Sequence, residues 1–334
     1  MSWRVLVTSS AMSKVGMASL DLLRNSGCEV VMAQKMGPLP ETELAAVVPG
    51  FDAVLASVDK FTAAILRAPT NTQLKVISRW GVGFDSIDIP VATEQGVIVA
   101  YCPGLLNNAV ADYTMSLLCA IARRVHEGHV LMTQGVWKGT WGHDIFGKTL
   151  GIIGCGRIGQ AVAKRASGFD MKVIGFDPGR PADAEKVGIR WVSLEELLRT
   201  SDFVSLNVAL TPETQNLIST PQLDLMKKTA YLINTSRGPV VDEAALAKAL
   251  TDGVIAGAAL DVFVKEPLAP DHFLRNTPNL LMSPHQSSWA HDTGANVSRA
   301  AAEAIIDVMQ GRRPRWVVDE NVYKSSNLRA KITQ

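Results

Sequence analysis

The fold is decided by TLGIIGCGRIG, which occupies residues 149–159. Its first five residues are an apolar run short enough for a buried parallel strand, and residues 160–167 read as a helix. Gly154 permits a tight turn between the two, Gly156 lets the backbone approach a pyrophosphate, and Gly159 lets the helix pack closely on the strand. A strand, a glycine turn and a helix in this order predict a dinucleotide-binding unit, with backbone N–H groups facing the phosphates.

A carboxylate follows at the spacing that such a unit needs. Residues 171–176 form the next apolar run, and Asp177 comes directly after it, 18 residues beyond Gly159. A carboxylate there accepts hydrogen bonds from both ribose hydroxyls of NAD and repels the 2′-phosphate of NADP. We therefore predict NAD as the cofactor, although the nearby Arg180 leaves some tolerance of NADP. The alternative interpretation is an ordinary strand–helix turn followed by a surface aspartate.

The length and the net charge of the chain limit the classes of protein to which it can belong. The chain has 334 residues, which is enough for two domains. Its 33 basic and 32 acidic residues leave a net charge of +1, so the overall charge attracts neither nucleic acid nor an anionic membrane. No apolar stretch approaches the roughly 20 residues of a membrane span, and residues 1–7 lack the layout of a signal peptide. We expect a soluble, cytoplasmic protein without nucleic-acid or membrane partners.

The cysteines do not indicate a metal site. The four of them, Cys28, Cys102, Cys119 and Cys155, stand apart from one another without metal-type spacing. We therefore predict no bound metal and interpret the cysteines as reduced core residues. Cys155, which lies within the glycine motif, is the one that we expect to be most open to oxidation.

Short apolar runs alternate with helical patterns along both halves of the chain, which predicts parallel sheets covered on both faces. In the first half the predicted strands cover residues 4–8, 28–33, 53–57, 74–78 and 97–100, with the clearest helix at 14–25. In the second half they cover residues 149–153, 171–176, 203–207, 230–234, 256–260 and 280–283. A helix at 108–125 is expected to bridge the halves, and a last helix at 294–310 is expected to return to the first domain.

The predicted fold is α/β, with two Rossmann-like domains built on parallel sheets. Residues 104–290 are predicted to form the NAD-binding domain. This domain is inserted into a discontinuous, flavodoxin-like substrate domain, the lid, which consists of residues 1–103 and 291–334.

Three polar segments follow predicted strands of the second half, at the sheet edge where ligands bind in open α/β folds. They read NTSRG at residues 234–238, LDVFVKEP at 260–267 and SPHQSS at 283–288. Together they supply a guanidinium, a carboxylate and an imidazole.

With these segments, the chain resembles the D-isomer-specific 2-hydroxyacid dehydrogenases over essentially its whole length. The resemblance rests on the mid-chain glycine motif, Asp177 and the three polar segments, in that order and at family-like separations. It also rests on RWGVGFDSID at residues 79–88. The resemblance implies an NAD-dependent dehydrogenase that transfers a hydride reversibly between NADH and the carbonyl of a small 2-oxo acid.

The resemblance assigns Arg237, Glu266 and His285 as catalytic, and their chemistry suits these roles. A guanidinium can engage the carboxylate and the adjacent carbonyl of a 2-oxo acid through its fork of donors, which is the role of Arg237. An imidazolium can protonate the carbonyl oxygen as the hydride arrives, and the neutral ring removes the hydroxyl proton in reverse, which is the role of His285. Glu266 is expected to hold the other ring nitrogen.

The resemblance also implies the remaining contacts. The residues expected to bind the cofactor are Gly154, Gly156, Arg157, Ile158, Gly159, Asp177, Thr235, Ser236, Asp261, Ser287 and Ser288. Among them, Asp261 is expected to hold the nicotinamide carboxamide. The residues expected to bind the substrate are Arg79, Val82, Gly83 and Arg237, with the backbone N–H groups of Val82 and Gly83 gripping its carboxylate.

Glyoxylate and hydroxypyruvate are the leading substrate candidates, and phosphoglycerate stays open. Ala56 stands where the phosphoglycerate dehydrogenase branch often carries an arginine for the substrate phosphate. Glu266 argues against formate, because formate dehydrogenases carry glutamine at this position. Trp289, where the family often has a small residue, is expected either to narrow the pocket or to fill the core between the domains.

Two questions of function and assembly stay open. The alternative function is an NAD(H)-sensing binding protein of the corepressor type with little turnover. QGVWKGTW at residues 134–141 puts two large apolar rings in a polar loop, which indicates a dimer contact or an interior plug. The resemblance favours a homodimer formed through the nucleotide domain.

Overall fold

The computed structural model of this chain describes residues 2–333. They form two compact units. The first unit consists of residues 2–106 and 289–333, and the second unit of Asn107–Ser288. The chain therefore leaves the first unit once and returns to it once.

The strands, in chain order, are β1 (Arg4–Val7), β2 (Glu29–Met32), β3 (Ala53–Ala56), β4 (Val76–Arg79), β5 (Ile98–Ala100), β6 (Thr149–Ile153), β7 (Lys172–Phe176), β8 (Arg190–Trp191), β9 (Phe203–Leu206), β10 (Tyr231–Asn234), β11 (Gly257–Leu260) and β12 (Leu280–Met282). The α-helices are α1 (Ser10–Val15), α2 (Met17–Asn25), α3 (Glu41–Val47), α4 (Ala63–Arg67), α5 (Ile89–Glu94), α6 (Asn107–Ala122), α7 (Val125–Thr133), α8 (Arg157–Ala166), α9 (Leu194–Thr200), α10 (Thr220–Leu225), α11 (Glu243–Thr251) and α12 (His291–Met309).

The first unit is built on a parallel sheet of five strands in the order β2-β1-β3-β4-β5. This is the flavodoxin-like order that was predicted. The strands β3, β4 and β5 are buried on both faces, as their unbroken apolar runs indicate. The helix predicted over residues 14–25 is wrong at its start, because α1 and α2 are separate and meet at Gly16, a residue of low helix propensity.

The second unit is built on a parallel sheet of seven strands in the order β12-β11-β10-β9-β6-β7-β8. Counted from β6, the order is that of a Rossmann fold with one further strand beyond β11, so the predicted fold class is confirmed. The strand order reverses between β6 and β9. In such sheets this switch point, at the carboxyl ends of the strands, is where a ligand binds.

The helix α12 completes the first unit and does not extend the second. Trp80 donates its indole N–H to the Ser298 hydroxyl at 2.9 Å, and the Ser78 hydroxyl donates to the carbonyl of Ala301 at 2.8 Å. These buried bonds fix α12 against the end of β4. No helix in residues 2–333 is both long and apolar enough to cross a membrane.

Candidate functional site

The glycine motif forms the turn between β6 and α8. Gly154 has φ +88°, and a Cβ there would lie 2.6 Å from the carbonyl oxygen of Asn207. A Cβ on Gly159 would lie 2.2 Å from the carbonyl oxygen of Gly154, so the helix approaches the turn as closely as the sequence predicts. A Cβ on Gly156 would meet no protein atom within 4 Å. The open space above Gly156, at the N-terminus of α8, fits a bound pyrophosphate.

Asp177 lies directly after β7 and holds the glycine turn. Its Oδ2 accepts a hydrogen bond from the N–H of Cys155 at 2.9 Å, and its Oδ1 accepts one from the N–H of Gly179 at 2.8 Å. These two bonds fix the carboxylate, and each oxygen keeps a lone pair for a further donor. The arrangement therefore fits a ribose that offers two hydroxyl groups.

Cys155 faces away from solvent. Its side chain is fully buried, and burial, followed by the charge of Asp177, raises the pKa of the thiol to about 12. A Cβ on Gly175 would lie 2.7 Å from Cys155 Sγ, so this thiol fills the space beside β7. The expectation that Cys155 is open to oxidation is wrong for the folded chain, because oxidation needs an accessible thiolate.

The segment that carries Arg237 is organised by Asn234, the last residue of β10. The Asn234 Oδ1 atom accepts hydrogen bonds from the N–H and the hydroxyl of Ser236, at 3.0 and 2.8 Å. Its amide nitrogen donates to the carbonyl of Arg237 at 2.9 Å. The Thr235 hydroxyl lies 2.7 Å from that of Thr114 on α6. The segment is thus fixed at both its side chains and its backbone.

The predicted glutamate and histidine are in contact. The Nδ1 atom of His285 lies 2.6 Å from Oε2 of Glu266, and the two side chains are 30% and 23% exposed. The other oxygen of Glu266, Oε1, accepts a hydrogen bond from the N–H of Phe263 at 3.0 Å. The carboxylate is therefore held by its own loop while it holds the ring, and the partly exposed imidazole keeps its second nitrogen, Nε2, for another partner.

His285 lies in a left-handed backbone conformation, with φ +49°. Such a conformation costs a residue other than glycine about 1–3 kcal/mol, and the surrounding structure must compensate. Here the compensation includes two backbone bonds, because the N–H of His285 donates to the carbonyls of Asp261 and Ser283 at 2.8 and 3.1 Å. Backbone strain of this kind is common at active sites and ligand-binding sites.

The carboxylate of Asp261 lies beneath this turn. It is fully buried and accepts hydrogen bonds from the Ser283 hydroxyl at 2.6 Å and from the N–H groups of Gln286 and Ser287 at 2.9 and 2.8 Å. Asp261 therefore fixes the loop on both sides of His285. The sequence did not predict this role, and the predicted contact of Asp261 with a nicotinamide carboxamide stays a prediction.

Known proteins are similar to this chain in both sequence and structure. Residues 115–287 match the model of the D-isomer specific 2-hydroxyacid dehydrogenase NAD-binding domain. A glyoxylate reductase of Thermofilum pendens is 44% identical over 307 residues, which cover 89% of this chain and 90% of that protein. A glyoxylate reductase of Korarchaeum cryptofilum is 46% identical over 259 residues, 75% of this chain and 78% of that protein. A crystal structure of a Thermus thermophilus protein, 40% identical, has a TM-score of 0.85 and covers 95% of this chain and 100% of that one.

The chain belongs to the D-isomer specific 2-hydroxyacid dehydrogenase family. The resemblance stated from its motifs is thereby confirmed. The protein is an oxidoreductase that uses a nicotinamide dinucleotide and acts on a CH–OH group. The residues that match the NAD-binding domain of the family all lie within Asn107–Ser288, the second unit.

The first unit of the dehydrogenase carries the other residues predicted to bind substrate. Arg79 ends β4, is buried, and donates Nη1 to the carbonyl of Trp80. Its guanidinium is thus turned into its own loop, close to Gly81. The backbone N–H groups of Val82 and Gly83 donate no hydrogen bond to any group within residues 2–333. They follow the carboxyl end of β4, which is a position suited to binding an anion.

Three positions bear on alternatives left open by the sequence. Ala56 is fully buried at the end of β3, so no guanidinium is supplied there. Trp289 is 50% exposed, and the Lys14 ammonium lies 5.1 Å from the centre of its ring, within the first unit. Trp137 and Trp141 are 90% and 96% exposed, which contradicts the interior-plug interpretation of their loop.

Some residues that shape the site were missed. The Gln286 side chain donates to the Tyr113 hydroxyl on α6 at 2.7 Å, and the Glu243 carboxylate accepts from the N–H of Val264 at 2.8 Å. Neither Tyr113 nor Glu243 was predicted from the sequence to be a site residue. No group of three or more residues among His, Cys, Asp and Glu that could hold a metal ion occurs within the described chain.

Proposed function

We propose that this dehydrogenase reduces small 2-oxo acids with NADH, glyoxylate and hydroxypyruvate first among them. The observation that carries the proposal is the 2.6 Å contact between His285 Nδ1 and Glu266 Oε2 at the carboxyl edge of the second sheet. Two relatives named glyoxylate reductase, 44% and 46% identical, support the choice of glyoxylate.

In the proposed reaction His285 moves the proton. The nicotinamide dinucleotide supplies the hydride when it is bound. As the substrate carbonyl is reduced, Nε2 of the protonated His285 donates its proton to the carbonyl oxygen; in the reverse direction the neutral ring accepts the hydroxyl proton. The role of Glu266 is to hold Nδ1, so that Nε2 carries the exchangeable proton and faces the substrate.

Arg237 is proposed to bind the substrate through its carboxylate and adjacent carbonyl. A guanidinium presents paired donors that match two oxygens in one plane. Hydrogen bonds to Asn234 hold the backbone of this segment, from which the arginine side chain extends. The N–H groups of Val82 and Gly83 are proposed as further donors to the substrate carboxylate, and Arg79 as a residue that supports their loop.

NAD is proposed to bind along the carboxyl edge of the second sheet. The proposed cofactor residues, each predicted from the sequence, are Gly154, Gly156, Arg157, Ile158, Gly159, Asp177, Thr235, Ser236, Asp261, Ser287 and Ser288. Preference for NAD over NADP is assigned to Asp177, whose fixed carboxylate would lie close to a 2′-phosphate and repel it.

Two substrates of similar enzymes are disfavoured. A phosphorylated acid would lose the guanidinium that Ala56 replaces, and a charge-assisted hydrogen bond contributes about 1.5–3 kcal/mol. Formate is disfavoured because Glu266, rather than a glutamine, contacts His285.

A cytoplasmic homodimer formed through the second unit is also part of the proposal, as is the role of the first unit as the substrate domain. Trp137, Trp141 and Phe146 are 90%, 96% and 71% exposed, and α7 before them has no buried residue. So much exposed apolar surface is typical of a protein contact, and the occupant proposed is a second copy of this chain. Light scattering tests it: the double variant Trp137→Ser, Trp141→Ser should be monomeric, and a monomeric wild type would contradict the proposal.

The function is tested by following the oxidation of NADH with a panel of 2-oxo acids. The panel contains glyoxylate, hydroxypyruvate, phosphohydroxypyruvate and a branched 2-oxo acid. We expect turnover of glyoxylate or hydroxypyruvate above the other two. No turnover above background on any acid would contradict the proposal and favour the NAD(H)-sensing alternative.

A further inference from the structure

The loop that carries Glu266 depends on a second glutamate. Residues 262–267 form neither a helix nor a strand, so hydrogen bonds from elsewhere must fix them. The N–H of Phe263 donates a hydrogen bond to Glu266 itself at 3.0 Å, and this bond lies within the loop. The N–H of Val264 donates a hydrogen bond to Oε1 of Glu243 at 2.8 Å, and this bond connects the loop to the helix α11.

Glu243 is a rigid anchor because it is the first residue of α11. The helix start is capped by Asp242, whose Oδ1 accepts hydrogen bonds from the N–H groups of Ala244 and Ala245, both at 3.0 Å. The N–H of Asp242 in turn donates to the carbonyl of Ile218 at 2.9 Å. The Glu243 side chain is only 10% exposed, and its negative charge is favoured at a helix N-terminus.

The second oxygen of Glu243 faces a histidine. Oε2 lies 3.7 Å from Nε2 of His272, and Nδ1 of that ring accepts a hydrogen bond from the N–H of Leu274 at 3.4 Å. Nδ1 accepts, so the proton of the neutral ring lies on Nε2 and points toward Glu243. The ring therefore lies beside the Glu243 carboxylate, at more than hydrogen-bond distance, and the hydrogen bond that the carboxylate accepts comes from the N–H of Val264.

The chain just before α11 also touches the glutamate loop. A Cβ on Gly238 would lie 1.9 Å from the carbonyl carbon of Phe263, so the two backbones are in direct contact. Gly238 follows Arg237. The arginine segment and the glutamate loop therefore meet at Gly238 and again at Glu243, five residues further along the chain.

We propose that Glu243 is a positioning residue for the proton-transfer pair. By accepting the N–H of Val264, it holds the loop in the conformation that places Glu266 Oε2 against His285 Nδ1. It touches neither the substrate nor the cofactor in this role. The inference rests on the proposed function for what the pair does, while the placement of Glu266 by Glu243 can be measured without turnover.

The experiment compares the full-length variants Glu243→Ala and Glu243→Gln with the wild type. The alanine variant loses the acceptor for Val264, and the glutamine variant keeps one through its amide oxygen. Glu195→Ala is the matched control, because Glu195 also lies in the first turn of a helix but is exposed and, within residues 2–333, forms an ion pair only with Arg199. The readouts are kcat and KM for glyoxylate with NADH, the dissociation constant of NADH, and the pH midpoint of the His285 imidazole titration followed by NMR.

For Glu243→Ala we expect kcat to fall about 10- to 100-fold, because a displacement of about 1 Å in a reacting group has effects of this size. NADH affinity should stay near that of the wild type, and the His285 midpoint should move to lower pH as its carboxylate partner drifts away. Glu243→Gln should keep most of kcat and the wild-type midpoint, and Glu195→Ala should match the wild type throughout.

Unchanged kcat and an unchanged His285 midpoint in Glu243→Ala would overturn the inference. If the alanine variant does not fold, the kcat and the His285 midpoint of Glu243→Gln test the inference instead. A wild-type midpoint and rate support the inference, whereas a loss of kcat with an unmoved midpoint contradicts it. If the wild type reduces no 2-oxo acid, the proposed function fails, and the NMR midpoints of the two variants still test Glu243.

Discussion

His285 reaches Glu266 from a strained backbone: its φ is +49°, and its Nδ1 lies 2.6 Å from Oε2 of the glutamate. Hydrogen bonds to the buried carboxylate of Asp261 and between backbone groups of the turn stabilise this strained conformation. The glutamate is held by the N–H of Phe263 and, through Val264, by Glu243. The pair is therefore fixed from both sides, which suits a role in proton transfer.

Glu266→Gln tests the charge of the pair. The amide keeps the size of the side chain but stabilises an imidazolium less than a carboxylate does. Since reduction needs the protonated ring, we expect the fall of kcat with rising pH to begin at lower pH than in the wild type. The measurement is kcat for glyoxylate reduction between pH 5 and 9. A superimposable profile would show that the two residues do not act as a pair.

Asp177→Ala tests cofactor choice. Removal of the carboxylate removes its repulsion of a 2′-phosphate and its bonds to the ribose, so the ratio of kcat/KM for NADH to that for NADPH should fall by about tenfold or more. The bond to Cys155 is lost as well, so NADH binding itself should weaken. The measurement is kcat/KM with both cofactors. A wild type that already prefers NADPH would contradict the role given to Asp177.

Gly238→Ala tests the contact between the arginine and glutamate segments. A Cβ there would lie 1.9 Å from a backbone carbon of Phe263, so one segment has to move. We expect the unfolding free energy to fall by about 1–3 kcal/mol, as for overpacking, and kcat to fall with it. Gly168→Ala is the control, because a Cβ at Gly168 meets no atom within 4 Å. Equal stability and rate in the two variants would exclude a close contact at Gly238.

The thiol of Cys155 should be inert in the folded protein. Burial raises its pKa to about 12, whereas an unfolded cysteine ionises near pH 8.5, so between these values the unfolded chain binds fewer protons. The free energy of unfolding therefore falls as the pH rises through this range. Mass spectrometry after a brief exposure to iodoacetamide at pH 8 should find Cys155 unmodified. Rapid alkylation of Cys155 without unfolding would contradict its burial.

The parts of the molecule that follow from short-range patterns could be predicted from the sequence. The glycine turn, Asp177 and the strand ends that carry Arg237, Glu266 and His285 each depend on a few neighbouring residues and a period that the sequence shows. Glu266 and His285 could be paired because the resemblance placed them together. Their contact at 2.6 Å agrees with that expectation.

Other features depend on contacts between segments that are distant in sequence. Glu243 meets the N–H of Val264 across 21 residues, and Asp261 meets the N–H of Ser287 across 26. Backbone donors carry no signature in the sequence, so neither bond could be predicted. The exposure of Trp137 and Trp141 is a similar case, because an apolar ring in a polar loop suits a surface as well as a core.

The central claim is that His285 is the acid that protonates a 2-oxo acid during reduction by NADH. Its most direct test is kcat for glyoxylate reduction in the wild type and in His285→Ala, measured side by side with the dissociation constant of NADH for each. We expect kcat to fall by about 10²- to 10⁴-fold, while NADH binding changes little. A variant that keeps a near-normal kcat would contradict the account.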